Sequence, residues 1–171
     1  MTELILDAGP LITVCKFSVD HQLLVDHLLH RCEINIAATV RDEVIVAGAR
    51  YPDARAAQQR IEQEQIKVLH PPAAHQLETL LVPYGLGNGE RDSILLTEHP
   101  DLQRATLVID DHLAYLVSDR LGRRKRFLLD VIVDLVETKQ LSAELAVEMT
   151  KAVHSRYPSA FIEHTMLLLQ R

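Results

Sequence analysis

Acidic side chains recur in this chain where a short apolar run gives way to a loop or a helix. Asp7 ends the run 4–6, Asp110 and Asp111 end the run 106–109, and Glu43 and Asp92 stand early in helical stretches. If the runs are parallel strands of one sheet, those strand ends and helix starts share an edge, and four segments bring carboxylates to it. Carboxylates gathered in that way repel one another or take up protons unless a cation compensates them. A hard divalent ion removes the conflict, and Mg2+ or Mn2+ suits an open carboxylate set that keeps some waters. Such an ion lowers the pKa of a bound water and neutralises charge on a phosphate, so phosphodiester hydrolysis is the chemistry to expect.

The stretch 85–96, GLGNGERDSILL, carries the most information. Its glycines and asparagine make a turn that tolerates positive φ, and a helix pattern starts at once. Glu90 and Asp92 both fall in the first turns, where the helix dipole favours acids. At 100° per residue, Asp92 points between Leu95 and Leu96 on the side that must face the core, with Glu90 roughly 160° away. A carboxylate aimed among leucines is costly unless something compensates it.

The remaining pattern supplies the elements that would hold these groups. The runs 4–6, 34–37, 66–69 and 106–109 read as short buried strands separated by helices, which predicts an α/β three-layer sandwich with a mostly parallel central sheet. Asp7 has two readings at its strand end: ligand-facing carboxylate or helix N-cap. Residues 19–31 read as an amphipathic helix, with His27 and His30 on a solvent-facing edge. A zinc reading of that pair with Cys32 lacks a second clustered ligand set. Thr39 is placed to cap the next helix, with Val40, Val44 and Ala47 inward and Glu43 at the stripe's edge. The helix beginning near Tyr51 has only Ala54, Ala57 and Ile61 to bury, a thin stripe that suggests weak packing. Of Asp110 and Asp111, capping would use one; two are more than capping needs.

The basic run 120–127, RLGRRKRF, is placed by geometry away from the acids. The helix starting near His112 runs about 15 Å from the acidic strand ends, so the run caps its far end or meets a partner. The stretch 127–139 reads as a last strand or a buried helix entry. Ser142 caps a following helix, and an apolar terminal helix ends the chain. The run 166–169 packs on the core or forms a dimer or partner surface.

With 171 residues, 47% hydrophobic and 25% charged, the chain fits a catalytic domain over 1–140 and a helical extension over 141–171 packed on it. A net charge of −6 argues against a whole-surface nucleic-acid binder and leaves room for a local cationic groove. Two unpaired cysteines, no signal pattern and no membrane-length apolar run point to the cytoplasm.

In order, these segments resemble the PIN-domain nucleases. LILDAGPLI looks like the family's first strand and aspartate, and INIAATVRDEV like its V-x-x-E helix, with Val40 and Glu43 in those places. GNGERDSILL is similar to the G-E-x-E-A-I stretch of one branch, with Asp92 at the ligand position and Glu90 just before it. LVIDDHLAYLVSDRLG resembles the segment carrying the fourth acid, without separating Asp110 from Asp111. Gly9, Ala37, Tyr115 and Ser118 depart from the common pattern, while every acidic position is kept.

The resemblance implies a metal-dependent ribonuclease acting on single-stranded RNA. Asp7, Glu43, Glu90, Asp92 and Asp110 or Asp111 would hold one or two Mg2+ or Mn2+ ions, and Arg41 and Arg91 are weak candidates for phosphate contacts. It also implies a toxin held by an antitoxin protein, and a homodimer is the commonest assembly. The alternative is a catalytically inactive interaction module on the same fold, its acids serving as caps. A phosphotransfer reading fares poorly, because Gly9 fills the place of a second aspartate after Asp7.

Overall fold

The computed structural model describes residues 1–171, and its first strand, β1 (Thr2–Leu6), becomes the middle of the sheet. Helix α1 (Ala8–Lys16) and a hairpin of β2 (Ser18–Val19) and β3 (Gln22–Leu23) follow, then α2 (Leu24–Leu29) and β4 (Cys32–Ala37). Helix α3 (Ala38–Arg41) runs directly into a π-helical turn, Asp42–Val46, ahead of α4 (Pro52–Glu62) and β5 (Ile66–Leu69). The second half holds α5 (His75–Leu81), α6 (Asn88–Leu95), β6 (Thr106–Val108), α7 (His112–Arg120) and β7 (Lys125–Arg126). Three helices close the chain: α8 (Leu128–Glu137), α9 (Ala143–Ala152) and α10 (Ser159–Leu169).

The sheet has the order β5-β4-β1-β6-β7, and every pairing is parallel. This is the expected α/β sandwich. The chain steps outward from β1 through β4 to β5, then crosses back to β6 on the other side of β1. Such a reversal opens a crevice beyond the carboxyl ends of the two strands that flank it, here β1 and β6. The strands can be so apolar because helices cover both faces. Leu4, Ile5, Leu6, Ile34, Ile36, Leu107 and Val108 are all essentially inaccessible to solvent. No helix is long and apolar enough to cross a membrane.

Several local expectations need correction. The helix expected over 19–31 begins only at Leu24, because Asp20 and His21 both take positive φ (50° and 63°) in a tight hairpin turn. His27 does not face solvent: it is buried, and its Nε2 lies 3.4 Å from the Val19 carbonyl oxygen. Thr39 is not a cap; it lies inside α3, whose N-cap position is Ala37. The π-turn rotates the stripe that follows, so Val44 is buried while Ala47 is exposed.

Helix α4 is not loosely held. Its buried Ala54 and Ala57 let it lie close on α1, and Arg60 forms a two-pronged pair with Asp26 of α2 (3.0 and 2.8 Å). The stretch 127–139 is a helix, not a strand, with six buried residues; the last strand is the two-residue β7 before it. At the C-terminus Leu169 packs into the core, whereas Leu167 stays exposed. Ile5 has no solvent exposure at all on the central strand. Ile5→Ala should therefore cost about 2–5 kcal/mol, read as a lower urea midpoint with an unchanged slope.

Candidate carboxylate site

Asp7 is the first residue beyond β1, yet the sheet ladder still holds it. Its N–H donates to the Val108 carbonyl at 3.0 Å, which fixes it beside the end of β6. Its backbone takes the N-cap position of α1, but its side chain caps nothing. The carboxylate is instead 5% exposed, and Ser93 Oγ donates to its Oδ1 at 3.3 Å. Burial pushes its pKa from the ordinary 3.8 to about 6, against the lowering effect of the Ala8 N–H. The negative charges of Glu90 and Glu43 push the same way.

Those two acids come from separate helices. Glu43 sits in the π-turn, a helix distortion often found at functional sites. Its side chain reaches sideways to α6, where the Gly89 N–H donates to Oε1 at 2.9 Å. A Cβ on Gly89 would fall 2.6 Å from Glu43 Oε2, so any side chain there would displace the carboxylate. Four residues before Glu43, the Thr39 hydroxyl is buried and has no hydrogen-bond partner. Glu90 Oε2 accepts from the Gly87 N–H at 2.9 Å, which steadies the start of α6.

Glu90 and Ser93 lie three residues apart and so share the helix face turned toward Asp7. Asp92 is buried, as its place between the leucines requires, and its Oδ1 accepts from Arg91 Nε at 3.2 Å. It points about 100° away from Ser93 around the helix, and its one side-chain partner is Arg91.

The structure separates the aspartate pair. Asp111 is exposed and caps α7, accepting from the Ala114 N–H at 2.8 Å. Asp110 lies against the first turn of α1, its Cβ 4.0 Å from where a Cβ on Gly9 would be. The Leu128 N–H donates to Asp110 Oδ1 (3.2 Å) and the Tyr157 hydroxyl to Oδ2 (2.6 Å). Burial raises the Asp110 pKa even against those two hydrogen bonds, and it raises that of Tyr157 as well. Ser93 and Tyr157 are functional candidates that sequence reasoning missed. Ser93 carried a faint signal, as a hydroxyl on a leucine-rich face three residues from Glu90. Tyr157 carried none.

The two arginines expected to touch phosphate are both turned to neighbouring acids: Arg41 to Asp42 (2.9 and 2.6 Å) and Arg91 to Asp92. The basic run lies away from the acids only in its first half, because β7 runs parallel to β6 and carries Arg126 and Phe127 back to the edge where Asp110 stands. Gly122 ends α7 with φ 66°, and Arg123 pairs with Glu98. Lys125 and Arg126 then re-enter the sheet and pair with Asp119 and Asp134.

No three His, Cys, Asp or Glu side chains close on one point as a finished cation cage. The donors nonetheless fit a hard divalent ion in kind: oxygen ligands only, two buried carboxyls whose charge is penalised, and the orphaned Thr39 hydroxyl in α3 just before Glu43.

The sequence profile of the PIN domain matches residues 3–170, which takes in the three C-terminal helices as well as the acidic segments. No curated protein and no solved structure matches the chain.

The raised pKa of Asp7 has a consequence for stability. A carboxyl held above its unfolded value costs nothing below pH 3.8 and its full amount above about pH 6, so the cost grows as pH rises between them. In chelator, Asp7→Asn should therefore melt higher than the wild type at pH 7.5, by on the order of 2–3 kcal/mol, and show little gain at pH 4. Asp111→Ala should cost about 1 kcal/mol through the lost cap, measured by thermal melting.

Proposed function

Because the chain belongs to the PIN-domain family, whose members are in general metal-dependent nucleases, we propose that it is a ribonuclease that hydrolyses phosphodiester bonds of single-stranded RNA. The observation that carries this reading is the buried Asp7 carboxyl, driven up to about 6 by burial and by two neighbouring acids at the β1–β6 crevice. Asp7, Glu43, Asp92 and Asp110 are the proposed ligands for Mg2+ or Mn2+, with Glu90 as a further oxygen donor. Asp110 is chosen over Asp111 because Asp111 is spent on capping α7. When bound, the ion supplies an activated water and offsets charge on the phosphate.

The chain's own groups do the positioning. Ser93 holds one oxygen of Asp7, and Tyr157 with the Leu128 N–H fixes both oxygens of Asp110. The Gly89 N–H steers Glu43 inward from its exposed helix. Arg91 is half-exposed on its side chain and stands next to Asp92, so it can exchange that partner for a substrate phosphate once a cation takes the carboxylate.

In this reading the protein works in the cytoplasm as the toxin of a toxin–antitoxin pair. An antitoxin or a second copy would cover apolar side chains now exposed, among them Val46, Leu80, Val82 and Leu167. The reading is tested by incubating labelled single-stranded RNA with the protein and Mn2+ or Mg2+. Cutting should require the ion and fall to background in Asp7→Asn, Asp92→Asn and Asp110→Asn, while Asp111→Ala still cuts. Undiminished cutting by Asp7→Asn would refute the assignment.

A further inference from the structure

Beside Asp110 lies a cleft of about 430 Å³ that the carboxylate chemistry leaves unused. It is walled by the start of α7 (His112), the entry to α8 (Phe127, Leu129) and the 156–161 segment, with Asp110 itself on its floor. Phe127 is braced from behind by Tyr115, the rings stacked at 4.1 Å and 4°. Phe161 meets Phe127 edge-on at 5.9 Å and remains 49% exposed at the rim. Arg156 is exposed and forms no ion pair; its Nε donates to the Thr13 hydroxyl at 3.2 Å, which leaves the outer guanidinium nitrogens free. Arg156 thus sets a positive charge, free of any close carboxylate, beside two aromatic rings on a chain of net charge −6.

We propose that this cleft seats one nucleotide of a single-stranded RNA adjoining the bond to be cut, its base against Phe161 and Phe127 and its phosphate against Arg156. The proposal rests on the ribonuclease reading and adds the subsite that would hold the strand. A base offers a flat face to an aromatic ring whatever its identity, and arginine pairs with phosphate through a planar fork. The cleft shares Asp110 with the acidic crevice, so a nucleotide in it continues directly into the proposed reaction centre. It also gives the C-terminal helices a role. Arg156 ahead of α10 and Phe161 in its first turn would grip the strand, while Tyr157 between them hydrogen-bonds Asp110.

The test uses the full chain carrying Asp7→Asn, so that RNA is bound and not cut. A fluorescein-labelled 12-nucleotide single-stranded RNA is titrated by anisotropy, in chelator, at several salt concentrations. Phe161→Leu keeps an apolar side chain but removes the ring, and should weaken binding on the order of tenfold. Phe161→Tyr keeps the face and should bind as the parent does. Arg156→Gln should weaken binding and reduce the slope of log affinity against log salt by about one. Equal affinity for Phe161→Leu and its parent, together with an unchanged salt slope in Arg156→Gln, overturns the subsite. If the otherwise wild-type chain still cuts RNA under Mn2+, the ribonuclease reading survives that loss. If the parent binds no RNA and the wild type cuts none, both fall together.

Discussion

The candidate site is organised around one costly placement, a carboxyl group buried at the end of the central strand. Asp7 is joined to β6 through its own N–H and to α6 through the Ser93 hydroxyl, and it is almost wholly buried. Its neighbours make the cost larger, because Glu90 and Glu43 bring negative charge toward it. A fold that served stability alone would put an alanine or a serine there. The helix after β1 does not need the group either, since Asp7 occupies the cap position without capping.

The surrounding elements read as devices for holding that arrangement. The sheet reverses its order between β1 and β6, which brings Asp7 and Asp110 to one crevice. Glu43 stands in the π-turn after α3, and a glycine at 89 admits its carboxylate against the α6 backbone. The C-terminal helices belong to the same design. α10 packs on α8 and α9, and the segment before it hydrogen-bonds Asp110. Membership of the PIN-domain family across residues 3–170 agrees with that continuity.

Much of this was legible in the sequence, for definite reasons. The short apolar runs, alternating with helices, read as buried parallel strands, and acids recurring at their ends exceeded what helix capping alone would use. The aspartate pair could be seen to hold one residue more than capping requires, but which one faced inward depended on the turn after β6. What stayed hidden came from tertiary context. The backbone at Asp20 and His21 adopts positive φ without a glycine to announce it. A π-turn has no compositional mark, so Ala47 was assigned to the wrong face. Tyr157 reaches Asp110 across 47 residues of chain, a contact that no local pattern encodes.

The account's central claim is that these scattered acids share a cation, and direct binding tests it without any substrate. Titrating the protein with Mn2+ at pH 7.5, while following the electron paramagnetic resonance signal of the free ion, counts bound ions and gives their affinity. The account predicts one or two ions bound per chain, with the site lost in Asp7→Asn and weakened when the pH is lowered to 5. Mn2+ that stays free in the wild type, or that binds Asp7→Asn equally well, would contradict it.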